Sequence, residues 1–170
     1  MNRLLAIFAL LGFVLSLVVH IAALSGIDVA GKSPLVWSLH VGIFVAFIPF
    51  VLLSRKELGP KPTFTQLKGI FPGWVGAVCA VICTYALINF LLFMLATHGG
   101  SPSIRDGKFI LQDHGRLIRE ITSGEYASFK ANEVRGFSGH WLAFYFVPFA
   151  YFMFRKKSTS SIHGTAFGSP

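Results

Sequence analysis

The sequence predicts an all-α membrane protein of four transmembrane helices, with both termini in the cytoplasm and a small extracytoplasmic cap between helices three and four. Three observations carry that prediction. Only 13% of the 170 residues are charged and 54% are hydrophobic, with a mean hydropathy of +0.65, whereas an average soluble domain is about 25% charged. The apolar residues are gathered into four blocks, 4–24, 34–53, 74–97 and 137–154, none of which contains Asp, Glu, Lys or Arg. The basic residues between the blocks are distributed asymmetrically. The whole chain, 1–170, is read as a single membrane domain.

A helix rising 1.5 Å per residue needs about 20 apolar residues to cross the hydrocarbon layer. The fourth block is the shortest, and its density of Phe and Tyr up to the Arg155-Lys156-Lys157 stop favours a span over a re-entrant segment. Because the blocks are continuously apolar and do not alternate, a β-barrel is excluded. The first block follows Arg3 and runs for about 20 residues, beyond the 7–15 of a secretory signal core, so an uncleaved first helix is expected.

The orientation follows from the positive-inside bias. Arg3, the link with Arg55, Lys56, Lys61 and Lys68, and the tail 155–170 fall on one side, and Glu57 is their single acid. The other side holds the short first loop and the loop 98–136, where six bases face five acids. The net charge of +8 is read first as a topology signal and second as attraction to anionic lipid in the bilayer, and it requires no nucleic acid. Trp37, Trp74 and Trp141 fall near predicted span ends, where aromatic belts lie.

Ser33-Pro34 reads as the start of helix two, and Phe71-Pro72-Gly73 as the break before helix three. Between them, Phe64, Leu67 and Phe71 recur at helical spacing, predicting a short connector helix with an apolar face. In helix three Gly73 with Ala77, and Gly76 with Ala80, form a small-residue groove expected to pack within the bundle. Cys79 and Cys83, also four apart, are expected to pack, since one helical turn cannot bring them to disulfide geometry. In the outer loop, Phe109-Ile110-Leu111, the turn Asp113-His114-Gly115 and the run Arg116–Ile121 predict a hairpin. Thr122 with Glu125 forms a capping box, so a helix should begin near Ser123 and run into the fourth span. Helices two and four are faintly alike, through His40 and His140 and the steps Ile48-Pro49-Phe50 and Val147-Pro148-Phe149.

Histidines are the main ionisable residues inside the spans, which makes them the candidate site. His20, His40 and His140 each lie a short distance below the outer surface, and His98 marks the outer end of helix three. Imidazoles at matched depth suit two chemistries: haem b with His20 and His40 as axial ligands, or a divalent metal held by His20, His40 and His140. The plainer reading has these rings hydrogen-bonding to neighbours or reaching toward water. His114 and His163 are expected to be exposed. No Gly-x-Ser-x-Gly, phosphate loop, His-Glu-x-x-His or paired carboxylates occur. The sequence thus favours a non-catalytic membrane component, an accessory or scaffolding subunit that contacts a membrane protein partner or a second copy of itself.

The run Val134-Arg-Gly-Phe-Ser-Gly-His-Trp-Leu-Ala-Phe-Tyr145, preceded by Asp113-His114-Gly115 and Glu125-Tyr126, resembles the pattern of a small bacterial four-helix inner-membrane protein family with no known activity. The resemblance implies a bacterial inner membrane and a periplasmic cap, and it implies no reaction.

Overall fold

The computed structural model describes residues 2–156, apart from the side chains of Phe64, Leu67 and Lys68. The tail beyond Lys156, with His163, lies outside the described residues, as does the apolar face expected from Phe64 and Leu67. The chain runs α1 (Asn2–Leu24), α2 (Val29–Lys32), a 3-10 turn (Pro34–Trp37), α3 (Ser38–Leu58), α4 (Phe64–Ile70), α5 (Gly73–Ala96), β1 (Ser101–Arg105), β2 (Lys108–Asp113), β3 (Arg116–Glu120) and α6 (Ser123–Phe154). Among the described residues three segments are long and apolar enough to cross a membrane: Asn2–Leu24, Pro34–Leu58 and Gly73–Ala96.

The fold is helical but not all-α. The expected two-stranded hairpin, β2 with β3, is extended by β1 into a three-stranded antiparallel sheet in the order β1-β2-β3. The first connection is Asp106-Gly107 and the second His114-Gly115, and all four residues have positive φ. That is the signature of turns whose twist matches the flanking strands. The capping box forms as predicted: Thr122 Oγ1 accepts from the Glu125 N–H, while Glu125 Oε2 accepts from the Thr122 N–H at 2.8 Å. A second capping box, Thr63 with Gln66, starts the connector helix α4.

α6 is the axis of the molecule. It packs against α1, α3 and α5, whereas α5 packs mainly on α6 among the long helices. Close approach is made by glycines. Gly136 and Gly139 of α6 receive Phe93 and Asn89 of α5, and Gly12 of α1 and Gly42 of α3 flank the Tyr145 ring; a Cβ at any of these positions would overlap those side chains. The directions follow from the same contacts. α1 lies antiparallel to α6, with Gly12 at Tyr145 and His20 at Ser138. α3 runs parallel to α6, with Phe47 against Phe144, Phe50 against Tyr151 and Glu57 bonded to Arg155. Beside α5, the stretch from Gly136 to Phe154 extends from Phe93 to Trp74.

Large apolar side chains point outward (Leu4, Leu35, Leu95) while small and polar ones lie inside (Ala9, Ser16, Asn89, Ser138). This is the pattern of helices that associate by close packing, since lipid tails are as apolar as leucine. α6 is the least hydrophobic of the four long helices because its first turns, in the cap, carry Glu125, Lys130, Glu133 and Arg135.

Several local expectations are corrected. Nothing lies within 4 Å of where a Cβ would stand on Gly73 or Gly76, so the small-residue groove of α5 faces away from the bundle. Cys83 is exposed and both thiols are free. Trp141 is a fully buried core residue, not an interfacial anchor; it stacks edge-on with Trp37 at 5.8 Å.

Candidate functional site

The candidate histidines divide into two groups on different sides of α6. His20 is 2% exposed, and both ring nitrogens are engaged: Nδ1 lies 2.8 Å from Ser138 Oγ and Nε2 lies 2.5 Å from Tyr85 Oη. The hydroxyl of Ser138 is also within 3.3 Å of the Arg135 carbonyl, to which it donates. That direction assigns the protons. His20 donates from Nδ1 to Ser138 Oγ and accepts at Nε2 from the Tyr85 hydroxyl, which makes a neutral imidazole satisfied at both ends. The chain Tyr85, His20, Ser138, Arg135 thus ties α5, α1 and α6 together. One turn from His20 on α1, Ser16 Oγ is buried without a hydrogen-bond partner among the described residues.

His40 and His140 are neighbours on α3 and α6, with ring centroids 6.5 Å apart. Their surroundings are aromatic: Phe44 and Phe137 contact His40, and Phe90, Phe137 and Phe144 contact His140. His40 Nδ1 accepts from the indole N–H of Trp141 at 3.0 Å, which leaves the proton of the neutral ring on Nε2. Ser138 and His140, two residues apart on one helix, project about 200° from each other, so His20 and the His40–His140 pair do not converge.

This arrangement bears on ligand chemistry. A histidine bound to a metal coordinates through one nitrogen and donates the other N–H to an outer partner. His20 has no nitrogen to spare, and His40 accepts where a ligand would donate. Among the described residues no group of three or more His, Cys, Asp or Glu is disposed to hold a metal ion. A haem held by His20 and His40 would have to displace the bonds to Ser138, Tyr85 and Trp141.

At the cap, a cleft of about 380 Å³ opens between the end of α5, β3 and the first turns of α6; its lining includes His98, Arg119, Glu125, Phe129 and Asn132. Arg119 and Glu125 pair at 2.8 Å. The Arg119 guanidinium and the Thr122 backbone N–H hold the Glu125 carboxyl at about 2, well below the usual carboxylate range. His114 is exposed in its turn and bonded to Asp113. At the opposite end, Glu57 accepts from Tyr151 at 2.7 Å and from Arg155, which clasps α3 to α6.

Sequence reasoning found the histidines and missed their partners. Ser16 and His20 are four apart on one face, and Arg135 and Ser138 fall within a turn of each other; that spacing was the available signal. Tyr85 and Trp141 carried none beyond their polar atoms. No protein-family model, curated protein or solved structure matches the chain.

Proposed function

We propose that this protein is a non-catalytic integral component of a bacterial inner membrane, an accessory or scaffolding subunit that spans the bilayer four times with both termini in the cytoplasm. The observation that carries this reading is the face of α5 turned away from the bundle. It combines uncovered Gly73 and Gly76 with exposed Val81, Leu87, Leu91 and Leu95, a surface that admits a second helix at close range. The fourth span is supported by the extent of α6 from Gly136 to Phe154, which runs alongside the apolar α5 from Phe93 to Trp74. The polar groups of the bundle support a structural role, because the side chains of His20, Asn89, Trp141 and Tyr145 are all bonded to neighbouring helices.

Mild-detergent purification followed by mass spectrometry tests the reading. A stoichiometric membrane partner or a defined homo-oligomer is expected, and Gly76→Leu should abolish it while leaving the monomer folded. Recovery as a lone monomer, or association unaffected by Gly76→Leu, would leave α5 without the proposed role.

A further inference from the structure

At the end of the bundle away from the cap, a groove of about 470 Å³ lies between α1 and α6. Its floor is Ala6, 3% exposed, and Phe152, 8% exposed. Ile7 and Leu10 wall one side, Phe149 and Met153 the other. Arg3 closes the groove one turn before Ala6 and Ile7. Among the described residues Arg3 forms no ion pair, and Glu57, the acid at this end, is taken by Arg155. From Arg3 to Leu10 the helical rise gives roughly 10 Å of apolar channel below a cation.

We infer that this groove binds one anionic phospholipid, with a phosphate on Arg3 and an acyl chain laid over Ala6 between Leu10 and Phe149. The inference rests on the proposed topology for the leaflet concerned: with the amino terminus in the cytoplasm, the groove opens to the inner leaflet, where anionic lipids and juxtamembrane bases attract. Charge complementarity selects the ligand. Phosphatidylcholine offers the same chains, but its phosphate is neutralised by its own choline, so an unpaired guanidinium discriminates in favour of net negative headgroups. An apolar partner helix would fill the channel but leave Arg3 unanswered.

Native mass spectrometry of the full chain in detergent, titrated with phosphatidylglycerol or phosphatidylcholine of identical acyl chains, tests this. One phosphatidylglycerol per chain is expected, held about fivefold more tightly than phosphatidylcholine, as one basic residue near a membrane surface supplies. Arg3→Gln should bring the ratio close to one. Met153→Trp, at an exposed position that fills the groove from its open side, should reduce retention of both lipids. Arg55→Gln, which removes a cation of the same end outside the groove, should change neither. Equal retention of the two lipids by the unaltered protein, equal losses in Arg3→Gln and Arg55→Gln, or a lipid-free dimer sensitive to Met153→Trp would each overturn the inference. Inverted labelling at Ser103 would instead reverse the leaflet and leave the lipid preference standing, so the two failures are distinguishable.

Discussion

A single imidazole links three helices of this bundle, and its hydrogen bonds make its contribution measurable. Tyr85→Phe deletes the donor to His20 Nε2 and leaves a buried acceptor unpaired, which costs about 1–3 kcal/mol; a lower midpoint of thermal unfolding in detergent is the expected readout. Ser138→Ala should cost a similar amount at Nδ1. Because both act through one ring, their effects in a His20→Leu background should nearly vanish, the non-additivity of residues in one network. The same hydrogen bonds give the outcome expected for cofactors: the purified protein should lack a haem Soret band and stoichiometric metal. A Soret band lost on His20→Ala would overturn the proton assignment. In the cap, the depressed Glu125 carboxyl stabilises the Arg119–Thr122 junction fully above the unfolded carboxylate value, near 4.5, and that contribution is lost as pH falls through about 2. NMR titration should find the Glu125 midpoint returning toward the ordinary range in Arg119→Ala; an unmoved midpoint would assign the depression to the capping N–H alone.

At the level of elements, two sets of glycines that look alike in the sequence behave oppositely. Gly139→Leu would drive a side chain into Asn89 and should separate α5 from α6, costing about 1–3 kcal/mol or more. Gly76→Leu, with nothing within 4 Å of its Cβ position, should leave stability unchanged. Equal destabilisation by the two would mean that α5 is rotated about its axis. The rotation of a uniformly apolar helix is where the sequence was least legible, because no polar face marks which side is inside. The first three apolar segments, the hairpin turn and the helix start at Thr122 were legible, since run length and local capping chemistry determine them. β1 went unread although Asp106-Gly107 is as strong a turn signal as His114-Gly115; its strand Ser101–Arg105 contains Pro102 and a single large apolar residue, Ile104, too little alternation to register. Placing Trp141 at the interface erred for a related reason. Sequence position fixes the place of Trp141 along the helix, but its direction around the helix depends on Trp37 and His40, which come together only through the parallel packing of α3 and α6.

For the whole molecule, topology is the property that most needs a direct measurement. With Cys79 and Cys83 replaced by serine, Ser103→Cys in β1 should react with an impermeant maleimide from outside intact cells, and Ser160→Cys only after permeabilisation. Reversed reactivity would invert the molecule and remove the grounds for a periplasmic cap. The central position of α6 also has a consequence in time. Ribosomes deliver α1, α3 and α5 before α6, and until α6 emerges α5 lacks its main packing partner and has only the Tyr85–His20 bond to α1. The early segments must therefore wait in the bilayer, α5 only loosely held, and the bundle closes once α6 has been made. A stop codon before the codons of α6 (Ser123–Phe154) would leave α5 inserted yet unassembled, which makes α6 the checkpoint through which quality control can distinguish assembled chains from interrupted ones.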